Sequence, residues 1–314
     1  MKAGRIGVLG AGGMGSAFAA LLARSGHDVV LIGRGSEHVR AVAERGLAVL
    51  PPDGRPWTVA LDVSPHAEDL PPGSLDAVVI LTKAYDLSAA ARSVAPALTP
   101  GGVAVSLQNG LGLATRLAAV FGGERSLVGT TTVGAALQGP GRISVSGATA
   151  AGESFTYLGE MGEARGGSRA AGVVAALSAA GIPTAYLPQV GEEIWRKLAL
   201  AVMSPVSSVL RLTVGQVWAS DEGRSLVRRM FDEVVAVALT QQVRLDPERA
   251  WAHASQVFEG TGEHYTSMCA DVMNGRRTEL SSMAGAVHRI GREQGVPVPA
   301  HGVVLEMLGA LGVR

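Results

Sequence analysis

The stretch "IGVLGAGGMGSAFAALLARSG", residues 6–26, constrains the fold more than any other part of the chain. An apolar run, residues 6–9, leads straight into Gly10, Gly12 and Gly15, and a segment with an apolar face follows from Met14 to Arg24. The spacing is G-x-G-x-x-G. The first glycine permits a tight turn, the second lets a pyrophosphate approach the backbone, and the third lets helix pack on strand, with phosphates at the helix N-terminus. Glycine-rich turns are common in a chain with 42 glycines, so the spacing alone is weak. Its strand–turn–helix setting makes it specific for a dinucleotide. Gly10, Gly12, Gly13, Met14 and Gly15 are therefore candidate cofactor-binding residues.

The rest of the first half repeats the rhythm. Strand-like runs at 6–9, 29–32, 77–81 and 103–107 alternate with helix-like segments at 14–24, 37–45, 87–98 and 111–121. That alternation predicts βαβ units and a mostly parallel sheet. "LPPDGRP" (50–56) and "DLPPGS" (69–74) read as connections, and short strands with Gly–Pro turns are expected over 126–158. A helix near 168–180 and a last strand in "IPTAYLP" complete this half. Beyond Pro188 strand signals vanish. Helix-period segments follow at 190–203, 221–243, 247–259, 264–274, 278–294 and 301–312. Asp246–Pro247 and Thr278–Glu279 read as helix starts, and Gly275 as a stop. The expected architecture is an α/β domain over 1–188 and an all-α domain over 189–314.

Composition narrows the function. With 27 basic and 27 acidic residues there is no electrostatic footprint for nucleic acid. No run of 18 uninterrupted apolar residues suggests a membrane span. The N-terminus resembles a leader only superficially, because six glycines between Gly4 and Gly15 break its apolar run. The one cysteine, Cys269, precludes an intramolecular disulfide and fits a reducing compartment. We expect a cytoplasmic protein with no metal site.

Three strand ends add candidates. The second strand closes on Gly33 and Arg34, where an NAD site would carry an acid for the ribose hydroxyl. A guanidinium there suits a 2′-phosphate, so NADP(H) is expected. Lys83 in "VVILTKAYD" and Asn109 in "AVSLQNG" follow two further strands, at the end of a parallel sheet where ligands bind. Either could serve cofactor or substrate.

Taken together, "GAGGMG", the strand-end "GR", "TKA", "QNG", "TTTVGAALQGPGRISVSG", "IWRKL" and "TSMCADVMNGRRTEL" resemble the ketopantoate reductase (2-dehydropantoate 2-reductase) family, in order and over nearly the whole chain. The resemblance implies an N-terminal Rossmann domain, a helical C-terminal domain, and NADPH-dependent reduction of a branched 2-oxo acid in pantothenate biosynthesis. It implies that Lys197 is the general acid, that Glu279 orders the catalytic site and contacts a substrate hydroxyl, and that Ser267 binds substrate. On a helical wheel Lys197, Ala201 and Ser204 share one stripe of an otherwise apolar segment. Without the resemblance, Lys197 would read as an ion-pair partner of Glu193, or as a stem that snorkels to water. Two positions depart from the family. Where it commonly has asparagines that bind substrate, this chain has Ala201 and Ser204, and "KLALAVMSP" is one residue shorter. A related 2-oxo acid or imine reductase of secondary metabolism is thus a second reading, and a non-catalytic NADP(H) sensor a third. Lys197 and Glu279 speak against the sensor, which needs no proton donor. Apolar helix faces would allow a homodimer.

Overall fold

The computed structural model describes residues 4–52, 54–145, 155–160 and 167–313. Its chain divides into two compact units, one of Met1–Gln108 with Gly112–Val190 and one of Asn109–Leu111 with Gly191–Arg314.

The first unit opens with β1 (Ile6–Leu9), α1 (Gly13–Arg24), β2 (Val29–Ile32), α2 (Glu37–Arg45), β3 (Leu47–Leu50), β4 (Trp57–Val59) and β5 (Asp62–Ser64). It continues through β6 (Leu75–Ile80), α3 (Leu87–Val94), β7 (Leu98–Ser106), α4 (Leu113–Phe121) and β8 (Ser126–Thr131). Then come β9 (Ala135–Gly139), β10 (Arg142–Val145), β11 (Thr156–Gly159), α5 (Gly167–Ala179) and β12 (Thr184–Leu187). Eight strands form one sheet in the order β12-β11-β8-β7-β6-β1-β2-β5, and only β11 on β8 is antiparallel. Strands β1 and β2 are buried throughout, as a parallel sheet covered on both faces requires. From β1 the order runs through β2 to one edge and through β6 to the other. The crevice between the carboxyl ends of β1 and β6 is therefore the switch point at which such sheets bind ligands.

A second sheet, β4-β3-β10-β9, was not legible as such in the sequence. The connection expected at 50–56 joins β3 to its antiparallel neighbour β4, with Asp53 outside the described residues. Strands β9 and β10 realise part of the expected strand-rich segment, while residues 146–154 lie outside the description. The helix expected to Leu98 stops at Val94, because Pro96 supplies no amide to continue the ladder and a 3-10 turn takes over. The helix expected from Leu111 starts at Leu113, after Gly112 turns left-handed at φ +77°.

The second unit comprises α6 (Gly191–Leu200), α7 (Met203–Leu210), α8 (Val214–Ala219), α9 (Asp221–Thr240) and α10 (Pro247–Thr261), then α11 (Ser267–Met273), α12 (Ala284–Glu293) and α13 (Pro299–Ala310). They enclose a core of Trp195, Val206, Phe231, Val234, Val287 and Leu308, among others. Asp246 caps α10 by accepting from the Arg249 amide, as its Asp–Pro start predicts. Two expectations fail. Residues 190–203 are not one helix: α6 ends at Leu200, where the Ala201 amide is shared between the Lys197 and Leu198 carbonyls, 3.0 and 3.1 Å away. Pro205 has no amide to offer the Ala201 carbonyl, which takes the Ser204 amide at 3.0 Å instead, and α7 begins at Met203. Thr278 does not start a helix either. Its hydroxyl accepts from the Leu280 amide within a turn, and α12 begins only at Ala284. Among the described residues no helix is long and apolar enough to cross a membrane.

Candidate active site

The glycine loop ends β1 and opens α1. Gly10 sits at φ +115°, and a Cβ there would meet backbone of Leu81 and Thr82 at 2.6–2.9 Å. A Cβ on Gly15 would fall 1.9 Å from the Gly10 carbonyl oxygen, and one on Gly13 would fall 2.7 Å from that of Ala135. Gly12 differs: a Cβ there would meet nothing within 4 Å. Three glycines thus permit close packing within the fold, while the second leaves its backbone open to a ligand. Gly12 is also the N-cap of α1, with no side-chain cap and no acid in the first turn, so the helix start is free to receive phosphate. These residues fit a dinucleotide.

His38 braces this loop, and sequence reading missed it. The Gly141 amide donates to Nδ1 at 3.1 Å, and Nε2 lies 2.9 Å from the Ser16 hydroxyl on α1. Burial pushes the imidazole below its ordinary pKa, which favours the neutral ring this bonding needs. Arg34 stands just beyond β2 with its side chain 87% exposed, 3.6 Å from Asp86. A pair this exposed contributes little, so the guanidinium is available to an incoming anion. Lys83, half-buried, precedes the 3-10 turn Ala84–Asp86 after β6. Gln108, also missed, fastens that turn. Its amide nitrogen donates to the Thr82 carbonyl at 2.8 Å and the Lys83 carbonyl at 3.1 Å, while its oxygen accepts from Ser106. Its place beside Asn109 in the "QNG" stretch was its only signal in the sequence.

Asn109 belongs to the second unit and not to the cofactor loop. Its amide nitrogen donates to Glu279 Oε2 at 3.4 Å, and the Ser282 hydroxyl donates to its carbonyl at 3.3 Å. Gly110 follows at φ +106°, so close to the Ser282 carbonyl that a Cβ would fall 2.2 Å from it. Glu279 is in turn the charge partner of Lys197. Burial lowers the Lys197 ammonium to a pKa of about 8, and the Glu279 carboxylate opposes that shift. Glu193, the partner a sequence reading offers, is taken by Arg196 at 2.6 Å. The charge that acts on the Lys197 ammonium is thus that of Glu279, brought close by the fold rather than by helix spacing.

The other two residues, Ser267 and Ser204, sit on different helices from Lys197. Ser267 is exposed at the first position of α11, where Thr266 provides the cap. Ser204 lies in α7, where its carbonyl accepts from Ser208. The break after Leu200 removes it from a continuous stripe with Lys197.

The first unit thus offers a loop open for a dinucleotide, and the second a lysine with a buried ammonium and a carboxylate acting on it. Comparison with known proteins identifies the family. Residues 6–162 match the family described as ketopantoate reductase PanE/ApbA, and residues 189–312 match its C-terminal domain. The chain belongs to the ketopantoate reductase family. It is accordingly an oxidoreductase. The 2-dehydropantoate 2-reductase of Halobacterium salinarum is 34% identical, with 94% of each chain covered. That of Archaeoglobus fulgidus is 29% identical, with 98% of each covered. Among solved structures, 2-dehydropantoate 2-reductase from Geobacter metallireducens superposes with a TM-score of 0.88 at 26% identity, covering 98% of this chain and 99% of that one. D-Mandelate dehydrogenase with NADH and anilino(oxo)acetate gives 0.90 at 25% identity, covering 98% of both.

Proposed function

We propose that this ketopantoate reductase family member reduces 2-dehydropantoate to D-pantoate with NADPH, and that Lys197 is its proton donor. The observation that carries the reading is the Lys197–Glu279–Asn109 group, in which burial sets the ammonium near a working pH. NADPH, when held at the glycine loop and Arg34, would supply the hydride that the carbonyl carbon takes up. Lys197 gives a proton from Nζ to the carbonyl oxygen, so that C=O becomes CH–OH. Before transfer its charge stabilises the negative charge growing on that oxygen. Glu279 keeps the ammonium protonated, and Asn109 holds one oxygen of Glu279 so that the carboxylate cannot swing away. Assaying NADPH oxidation against a panel of 2-oxo acids tests the substrate; no turnover of 2-dehydropantoate would overturn it.

A second substrate class has support of its own. D-Mandelate dehydrogenase, which shares the fold, was solved with an aryl 2-oxo acid analogue. With Ala201 and Ser204 where the family offers amides, fewer hydrogen bonds await a substrate hydroxyl. A site stripped in this way discriminates weakly against analogues that lack one. Activity on 2-dehydropantoate should show a raised KM and modest selectivity over 2-oxoisovalerate.

Reduction should follow the protonated fraction of Lys197. The rate is therefore expected to hold below pH 8 and fall as pH rises through about 8. Since Glu279 raises this pKa, Glu279→Gln should move the falling limb to lower pH. A limb that stays in place would show that another group controls it.

Arg34→Ala should weaken NADPH by ~1.5–3 kcal/mol, the range of a charged hydrogen bond, and leave NADH nearly unaffected. Equal losses for both, measured by fluorescence titration, would make Arg34 a structural residue.

A further inference from the structure

A small cavity lies one turn along from the Lys197–Glu279 pair on both of the segments that carry it. Leu198, Ala201 and Val202 line it from the end of α6, Met283 and Val287 from the segment after Glu279, Val234 from α9, and His301 from α13. The backbone ties both sides to the pair: the Ala201 amide donates to the Lys197 carbonyl at 3.0 Å, and the Met283 amide to that of Glu279 at 3.2 Å. The lining is apolar except for one imidazole.

That imidazole is fixed from behind. Glu233 on α9 accepts from the Ala300 and His301 amides at 2.7 and 3.0 Å, and one of its oxygens lies 2.6 Å from His301 Nδ1. Burial works to raise the Glu233 carboxyl, but these hydrogen bonds outweigh it and hold it below its ordinary value, so it is ionised. An ionised carboxylate only accepts, so Nδ1 carries the proton and donates. His301 is 1% exposed, and its Nε2 has no hydrogen-bond partner among the described residues. A buried polar atom left unsatisfied is costly, and ordered water is the usual remedy. The cavity has room for about one water molecule. The end of α6 forms one wall, where the Leu198 and Ala201 carbonyls accept from the Ala201 and Ser204 amides; each carbonyl has two lone pairs, so a second acceptor site on either can take a bond from such a water.

We propose that His301 Nε2 holds a single buried water in this cavity, and that the pair positions the end of α6 that carries Lys197. The function assigned to it rests on Lys197 being the proton donor; the water site itself does not. Without the water the α6 terminus packs against a void, and a void lets its lining shift. A shift of 1 Å at a reacting group can cost about 100-fold in rate.

The test compares two variants at Val287, a cavity-lining residue of α12 that leaves His301 and Glu233 intact. Val287→Ile extends a methyl group into the cavity and displaces the water. We expect kcat to fall about tenfold, with the NADPH KM unchanged. Val287→Thr keeps the side-chain volume and puts a hydroxyl at the cavity wall, and kcat should stay within about twofold of the parent. A crystal structure of the unmodified enzyme should show one water within hydrogen-bond distance of Nε2, and Val287→Ile should lack it. An unoccupied cavity in that crystal structure overturns the site. A water that is lost in Val287→Ile with kcat unchanged overturns the positioning role, provided Lys197→Ala lowers turnover at least about 100-fold. If Lys197→Ala turns over like the parent, the proton-donor reading fails instead, and the crystallographic result still decides the water site.

Discussion

Lys197→Ala should lower the turnover of 2-oxo acid reduction by about 10²- to 10⁴-fold, the usual contribution of a positioned general acid. NADPH affinity should change little, because the glycine loop and Arg34 belong to the other compact unit. The protein should stay folded. Lys197 is only partly buried as a residue, and its ammonium resists burial enough to have its pKa lowered to about 8. Removing a charge that folding disfavours cannot cost much stability. Linkage gives the same sign: a lysine whose folded pKa is depressed makes the parent gain stability as pH rises from 8 toward 10.5, and the variant should lose that gain. Stopped-flow turnover at saturating NADPH, with thermal melts at pH 7 and pH 10, measures both effects. Parent-like turnover would return Lys197 to a structural role.

The glycine loop offers the second large effect, and its members should fail in different ways. Gly15→Ala drives a methyl to within 1.9 Å of the Gly10 carbonyl, a backbone atom that cannot rotate aside. Overpacking of this kind costs about 1–3 kcal/mol or more, so the melting temperature should drop with or without cofactor. Gly12→Ala meets nothing in the protein within 4 Å, and its φ of −91° suits any residue. It should melt like the parent. It nonetheless places a methyl where a pyrophosphate must approach the helix start, and NADPH affinity should fall about tenfold or more, or ~1.4 kcal/mol. Melting curves and cofactor titrations on the two variants separate the roles. Full affinity in Gly12→Ala would mean the dinucleotide runs elsewhere.

Local patterns were readable because they report local physics. The N-terminal βαβ rhythm, the glycine spacing and the Asp–Pro start of α10 depend on residues within a turn or two of one another. So does the placing of Arg34 and Lys83 just past strand ends. Helix continuity across 190–203 was misjudged from the same kind of signal. Apolar periodicity continues through Ala201 and Val202, whereas the break depends on where the Ala201 carbonyl finds a donor once Pro205 withholds one. The hairpin of β3 and β4 was missed because its pairing includes β10, more than 80 residues on, and strands of three or four residues carry little pattern of their own.

By itself, then, the sequence determined the α/β and helical halves and the glycine loop, because periodicity, turn chemistry and motif spacing are written along the chain; Lys197 as proton donor came from the family resemblance alone. The tertiary structure decided what each group touches. It gave Glu193 to Arg196 and Lys197 to Glu279, joined Asn109 to Glu279 across 170 positions, and set His38 behind the glycine loop and His301 beneath α6. Electrostatic and hydrogen-bond partners are chosen by distance in space, and a burial that moves a lysine to about 8 exists only once distant helices have closed around it.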